Sequence, residues 1–343
     1  MNKIKLSTHQ ANIIIFIAMA ADIVIRPIYS EKKAFSAQST VPAIVLLCFL
    51  TLVLFSPLWA CNVQNIFQKD KPHGKIFSGM FCLLFIFAQA NTLMRTEQFY
   101  RFISEESTPN LLFIFLVLML SAYACKAGFD ATGRAAPIVL CLMIVSFAII
   151  FIFNANGMRL ENLVYKQTPI LNIKNNFLQS IGFAPEILLF FVIFNGSYSG
   201  KQNNFTVIIT SISVVYILFA VFSELVFANS AVLLSQPAQT LARLGGISVF
   251  KRLDAVHIAI WILSALIKLW AFINAYFALS AVFTDKENMR IAIGVVFVAA
   301  ITLTLYNIPQ EIISAVSSVF TATLAVATIA FSLCNRSVYE EKV

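Results

Sequence analysis

Charge is what this sequence has least of, because only 12% of its 343 residues are Asp, Glu, Lys or Arg. An average soluble domain carries about 25%. Hydrophobic residues make up 59% of the chain, and apolar runs recur along its whole length. This deficit of charge excludes an ordinary soluble domain and predicts an all-α, polytopic membrane protein.

Metal-ligating and disulfide patterns are also missing from the sequence. The six cysteines form no CxxC pair and mostly lie in apolar runs, and the three histidines, His9, His73 and His257, are far apart. We therefore expect no metal site, no disulfide framework and no cofactor. Neither a nucleophile–base pair nor a phosphate loop is found, so we expect that the protein is not an enzyme.

The formal net charge is +8, but the basic residues are scattered singly and in pairs between the apolar runs. A nucleic-acid-binding protein would cluster them. The scatter indicates contacts with anionic lipid head groups instead, so we expect a lipid bilayer and no nucleic acid among the partners.

The apolar runs predict ten membrane spans in one transmembrane domain over residues 1–343. They lie near residues 9–28, 40–60, 76–98, 109–127, 136–154, 177–197, 204–228, 252–283, 289–307 and 309–334. An even number places both termini on one side, but nearly equal numbers of Lys and Arg flank the two faces and do not decide which. A signal peptide ending near Ala18-Met-Ala20 is the alternative for the first run, although that run continues to Pro27 as a span would.

Two of the predicted spans are interrupted. In the first, Asp22 falls within the apolar run. In the sixth, Gly182 and Pro185 precede Glu186, and proline suits the first turn of a new helix. Ionisable residues inside a membrane cost about 2.5–3.5 kcal/mol on insertion scales, so both acids are expected to face the bundle interior.

Spans one and six open two sets of five, at about 9–154 and 177–334. Matching interruptions in two halves are typical of an inverted 5+5 repeat with broken helices one and six and a ligand site at mid-membrane. The residues alone leave an alternative open, in which the Gly-Pro pair merely kinks a helix and Glu186 caps it.

The expected pocket combines the two helix breaks with two polar residues of span three. Exposed carbonyl and N–H groups at such breaks can hold the ammonium and carboxylate of a ligand. Its residues are Ala20, Ala21, Asp22, Gln89, Asn91, Gly182, Phe183, Ala184 and Glu186. For Gln89 and Asn91, interhelical hydrogen bonding is the alternative.

Other charged residues are expected to form ion pairs. Lys268 lies within span eight and is expected to pair with an acid such as Glu224. Asp130 and Arg134, near the inner end of span four, are expected to form a packing or gating pair. The connection at 229–251 alternates apolar with polar residues, which predicts a short amphipathic helix on the membrane face.

Four stretches then follow one another in a familiar order. They are Arg95-Thr-Glu-Gln-Phe99 with Phe102-Ile103 and Ser107-Thr-Pro109; Ala122 to Arg134; Phe183-Ala-Pro-Glu186; and Leu241 to Asp254 followed by Trp261 and Lys268. Together they resemble the endospore germination permeases, the B subunits of nutrient germinant receptors, in the amino acid–polyamine–organocation superfamily. Two departures concern the pocket, because Ala18 to Ala21 and Pro185 stand where the family usually has glycine or a similar residue.

The resemblance implies cytoplasmic termini and a location in the spore inner membrane or the bacterial cell membrane. It implies a receptor subunit that binds a small nutrient, expected to be an amino acid, in a transporter-like mid-membrane pocket and triggers spore germination. Its implied partners are an A-type membrane subunit and a C-type lipoprotein. An ion-coupled amino-acid symporter is the alternative function.

Overall fold

The computed structural model describes residues 6–25, 37–60, 66–67, 69, 71–104, 109–163, 184–194, 203–228, 237–244 and 253–340. Every regular element in these ranges is helical, which confirms the all-α expectation. The α helices are α1 (Thr8–Ala20), α2 (Asp22–Ile25), α3 (Ala37–Ala60), α4 (Pro72–Ser104), α5 (Leu111–Asn154), α6 (Ala184–Phe194), α7 (Asn203–Phe227), α8 (Pro237–Leu244), α9 (Leu253–Ser280), α10 (Glu287–Leu305) and α11 (Gln310–Glu340). Two short 3-10 turns, Ala155–Gly157 and Leu160–Leu163, follow α5.

Six helical segments in the described ranges are long and apolar enough to cross a membrane. They are Pro72–Ser104, Leu111–Gly157, Phe205–Phe227, Asp254–Ser280, Glu287–Leu305 and Ile312–Phe331, and Thr8–Ala20 and Thr40–Phe55 are shorter apolar helices. Large apolar side chains such as Phe49, Phe115 and Val319 are exposed on the outside of the bundle. A surface of this kind is suited to lipid rather than water.

Helix α5 differs from the sequence prediction, which separates spans at 109–127 and 136–154. The helix runs through both, and only Gly128 departs from helical geometry, with φ 75° and ψ 179°. Glycine adopts a positive φ readily because it has no Cβ atom. A straight helix of 44 residues would be about 66 Å long, more than twice the ~30 Å hydrocarbon core. Where the sequence predicts a connection between two spans, the structure therefore has a break at a single residue, Gly128.

Helix α9 is the centre of the described bundle and packs most extensively against α4 and α5. Cys82 Sγ on α4 lies 3.8 Å from the carbonyl oxygen of Tyr276 on α9. Three residues further along α4, the rings of Phe85 and Phe272 are 5.9 Å apart. Residue numbers thus rise on α4 as they fall on α9, so the two helices run antiparallel.

Helix α1 begins with a capping box and ends just before Asp22. The Ser7 side chain accepts a hydrogen bond from the Gln10 N–H at 3.2 Å, and the Gln10 side chain accepts one from the Ser7 N–H at 3.1 Å. Ala21 separates α1 from α2, yet it keeps right-handed angles (φ −54°, ψ −33°) and its N–H donates to the Ile17 carbonyl. The predicted break in span one is therefore a one-residue interruption and not an unwound segment.

Helix α6 begins at Ala184 and carries Pro185 and Glu186 in its first turn. This agrees with the prediction that a helix begins near Pro185. The preceding part of the predicted sixth span, with Gly182 and Phe183, lies outside the described residues.

The predicted amphipathic helix within 229–251 is α8, Pro237–Leu244. It buries Leu241 and Ala242 and exposes Arg243. Asn154 Nδ2 at the end of α5 donates a hydrogen bond to the Leu241 carbonyl at 3.0 Å. Helix α8 is thus docked on the helix bundle through its apolar face.

Candidate ligand-binding site

Three charged side chains meet inside the described bundle. Lys268 Nζ lies 2.6 Å from Asp22 Oδ1 and 2.7 Å from Glu186 Oε1. We call Lys268, Asp22 and Glu186 the charged triad. Its members come from α9, α2 and α6, so it joins three elements that are far apart in the sequence.

The charged triad is almost completely removed from solvent. The side chains of Lys268, Asp22 and Glu186 are 3%, 5% and 3% exposed. Burial of an ion costs several kcal/mol, which close pairing must offset. The Lys268 ammonium also lies 5.9 Å from the centre of the Phe272 ring, a favourable cation–π distance. Fully ionised, the triad carries one positive and two negative charges.

Local sequence explains how the carboxylates reach Lys268. Ala21, which immediately precedes Asp22, is fully buried and packs against Ala265, about one turn before Lys268 on α9. Two alanines at this contact allow the α1–α2 junction to approach α9 closely. Glu186 lies in the first turn of α6, where the positive end of the helix dipole stabilises a carboxylate.

Two buried side-chain oxygens, one in the triad and one on α4, can each accept a further hydrogen bond. Within the described ranges, neither Glu186 Oε2 nor Gln89 Oε1 has a hydrogen-bond partner. The antiparallel register of α4 and α9 given above places Gln89 level with Lys268. An unsatisfied buried polar atom costs about 1–3 kcal/mol, so these acceptors are suited to a bound donor.

The other pocket candidates are placed as follows. Ala20 is fully buried at the end of α1, and Ala184 is the first residue of α6. Asn91 is half-buried on α4, and its Oδ1 has no hydrogen-bond partner in the described part of the chain. Gly182 and Phe183 fall outside that part. The structure thus brings both predicted acids together at Lys268, and the register of α4 and α9 places one predicted amide, Gln89, level with Lys268.

The predicted ion pairs need one correction. Lys268 contacts Asp22 and Glu186 and does not form a salt bridge with Glu224, which is buried on α7. Lys268 pairs with buried acids, as expected, but these acids are Asp22 and Glu186. Asp130 and Arg134 do pair, at 3.3 Å and one turn apart on α5. Both side chains are exposed, so this pair contributes little to stability.

A second polar cluster, which the sequence did not predict, is centred on Glu97 near the end of α4. This fully buried carboxylate accepts hydrogen bonds from the Asn110 N–H at 2.8 Å and from the Tyr306 hydroxyl. Arg101, one turn along, lies 3.6 Å from it. Glu97 lies at the end of the predicted span 76–98, between Arg95 and Gln98, so its sequence signal was weaker than that of Asp22 and Glu186. The cluster joins the end of α4, the start of α5 and the end of α10.

Comparison with known families decides what kind of protein carries this site. The model of a family described as spore germination protein matches residues 5–312. The chain belongs to the spore germination protein family. No curated protein matches it. The resemblance to germination permeases is thereby confirmed, and this spore germination protein is a multi-pass membrane protein.

Proposed function

We propose that this spore germination protein is the B-type subunit of a nutrient germinant receptor. It binds a small nutrient, an amino acid, at the charged triad and triggers germination without catalysing a reaction. Its proposed partners are the A-type membrane subunit and the C-type lipoprotein. The observation that carries the proposal is the buried contact of Lys268 with Asp22 and Glu186. Membership of the family supports the role in germination.

The charged triad favours a ligand that carries an ammonium group. Glu186 Oε2 is an open acceptor among the described residues, and the triad has one more negative charge than positive. Opposite charges attract strongly where water is excluded. In the first turn of α6, Pro185 has no N–H group, but the N–H groups of Ala184 and Glu186 have no carbonyl partner within the helix, which suits the carboxylate of the same ligand. An amino acid has both groups.

Competition for Glu186 supplies a switch. Lys268 ties α6 to α9 and α2. A ligand ammonium that binds Glu186 leaves Lys268 with Asp22 alone and weakens the tie between α6 and α9. A ligand shifts a conformational equilibrium only by its different affinities for the two states, and the exchange of one ion pair for another is such a difference. In this proposal the signal passed to the partner subunits is the ligand-bound arrangement, in which the nutrient ammonium occupies Glu186 in place of Lys268, so a variant that binds the ammonium poorly signals poorly.

Contacts between helix ends support the finer architecture that we propose, ten crossings in an inverted 5+5 repeat within one domain. Lys69 before α4 lies 2.9 Å from Asp285 before α10. Near the other end of these helices, Glu97 of α4 accepts a hydrogen bond from Tyr306, which follows α10. The ten-crossing topology places each pair on one face and the two pairs on opposite faces. It also requires α5 to cross twice, which the break at Gly128 permits.

An ion-coupled amino-acid symporter is the second candidate, because the same triad offers buried titratable groups to a coupled proton. Proteoliposomes that contain this chain alone distinguish the two. A receptor subunit binds a labelled amino acid without accumulating it, whereas a symporter accumulates it when a proton or sodium gradient is imposed.

Spores that carry Glu186→Gln test the proposal, because the substitution keeps the side-chain shape and removes the charge. A hydrogen bond to a charged group contributes about 1.5–3 kcal/mol, so the dose–response curve should move to at least about tenfold higher nutrient concentration. Glu287→Gln, at an exposed acid in the first turn of α10, is the matched control and should leave the curve unchanged. Normal protein level with an unchanged curve in Glu186→Gln would overturn the proposal.

A further inference from the structure

An apolar cavity of about 170 Å³ lies between α1, α3, α6, α7 and α11. Its walls include Met19 of α1, Ile187 of α6, Ile212 of α7 and Ala325 of α11. Ile187 directly follows Glu186, so one wall belongs to the helix that carries a triad carboxylate. The proposed nutrient site does not use this cavity.

Three of the four hydroxyl groups in the cavity wall are directed to the protein itself. The hydroxyls of Ser213, Tyr216 and Thr321 donate to backbone carbonyls at 2.8, 3.3 and 2.7 Å. A polar ligand would lose its hydration here without gaining equivalent hydrogen bonds. Apolar cavities of about 150 Å³ stay dry and accept benzene or xenon. The chemistry that fits this cavity is therefore a hydrocarbon.

The mouth of the cavity faces the bilayer. Leu54 of α3 and Val326 of α11 line the cavity and are also 48% and 56% exposed. The same two helices expose Phe49 and Val319 on their outer surfaces. In a membrane-spanning bundle these apolar surfaces contact lipid tails. The hydrocarbon within reach of the mouth is thus the acyl chain of a membrane lipid.

We propose that this cavity holds the end of one acyl chain of a bilayer phospholipid. The acyl chain enters the cavity from the bilayer interior, which is equally apolar, so the hydrophobic effect does not drive its entry. Filling a void gains dispersion contacts with wall atoms that otherwise face empty space. The bound chain packs against Met19 and Ile187, which adjoin the α1–α2 junction and the triad. Membrane lipid is in this way a structural ligand of α6, which holds Glu186, and of α1, which ends just before Asp22.

Photolabelling tests the proposal on the full-length protein in nanodiscs. The probe is a phosphatidylglycerol with a diazirine near the end of one acyl chain, and adducts are located by peptide mass spectrometry. We expect adducts on cavity-wall residues such as Thr51 and Ala325 as well as on the exposed Val319. Ala325→Phe fills the cavity and should abolish the wall adducts while the surface adducts remain. Val319→Phe, a lipid-facing change on the same helix, should leave the wall adducts in place.

A second variant covers the chance that Ala325→Phe does not fold. Ser213→Leu narrows the cavity from α7 and should also abolish the wall adducts. Absence of wall adducts in the folded wild type, or equal wall labelling in wild type and both filling variants, would overturn the proposal. Loss of wall labelling on addition of free leucine would assign the cavity to a soluble ligand. Loss of wall labelling at higher chain density would assign it to a second copy of the chain. Either result would also overturn the proposal.

Discussion

Replacing Lys268 by methionine is the severest test of the charged triad, because methionine keeps a long, flexible side chain and removes the ammonium. In the wild type the ammonium contacts Asp22 and Glu186 at 2.6 and 2.7 Å with all three side chains buried. The variant removes the ammonium that both buried carboxylates contact. Removal of one partner from a buried ion pair costs about 3–5 kcal/mol, so the free energy of unfolding should fall by that amount. Denaturant-induced unfolding of the purified protein in micelles measures it.

Two further proteins separate loss of charge pairing from loss of shape. The triple variant Asp22→Asn, Glu186→Gln, Lys268→Met removes every charge of the triad and should recover most of the lost stability, since neutral replacements of buried ion pairs are often tolerated. Lys69→Met, at the exposed pair with Asp285, should unfold like the wild type. The reasoning fails if Lys268→Met loses less than about 0.5 kcal/mol, the range of ordinary surface substitutions, or if the triple variant is no more stable than the single one.

The remaining predictions concern the break in α5 and the helix ends. Gly128→Ala should lower the free energy of unfolding by about 1–2 kcal/mol, because a residue with a Cβ atom resists the positive φ there, and chemical denaturation would show it. Tyr306→Phe should cost about 1.5–3 kcal/mol by the same assay, because the buried Glu97 carboxylate loses a hydrogen bond. The Lys69 ammonium, hydrogen-bonded to Asp285, holds the pKa of that carboxyl below its ordinary value. The stability it contributes is present above about pH 4 and is lost as the pH falls through the lowered pKa. NMR titration of Lys69→Met should show the pKa of Asp285 rising toward its ordinary value, and an unchanged titration would contradict the pairing.

The helical fold could be predicted from composition, but the details of the breaks could not. The residues around Gly128 contain charges and glycines and therefore resemble a connection between spans. They are nevertheless helical on both sides of Gly128, and Asp130 and Arg134, one turn apart, form an exposed ion pair on that helix. At Ala21 the sequence predicts an interruption, yet alanine is a strong helix former and keeps helical angles. The helix propensity of the neighbouring residues thus keeps each interruption to a single residue.

All three triad residues could be predicted from the sequence, but the pairing among them could not. Asp22 and Glu186 are conspicuous because acids are rare in apolar spans. Lys268 is conspicuous for the same reason, but its partners depend on how α9 is positioned against α2 and α6. It lies 246 residues from Asp22, and no local pattern reports that contact. Composition therefore identifies the members of a buried ion cluster, and only the packing of the helices identifies its pairs.

The most direct test of the nutrient site is an equilibrium binding measurement with and without the ligand's amino group. The purified chain in nanodiscs is titrated with a panel of L-amino acids and with the matching carboxylic acids that lack the amine. Loss of one partner of a buried hydrogen-bonded charge pair costs about 2–5 kcal/mol, so the wild type should bind the amine-free analogue at least about thirtyfold more weakly. In Glu186→Gln that ratio should approach one, while Glu287→Gln keeps it. An equal ratio in wild type and Glu186→Gln would contradict the account, because the ammonium would then bind elsewhere.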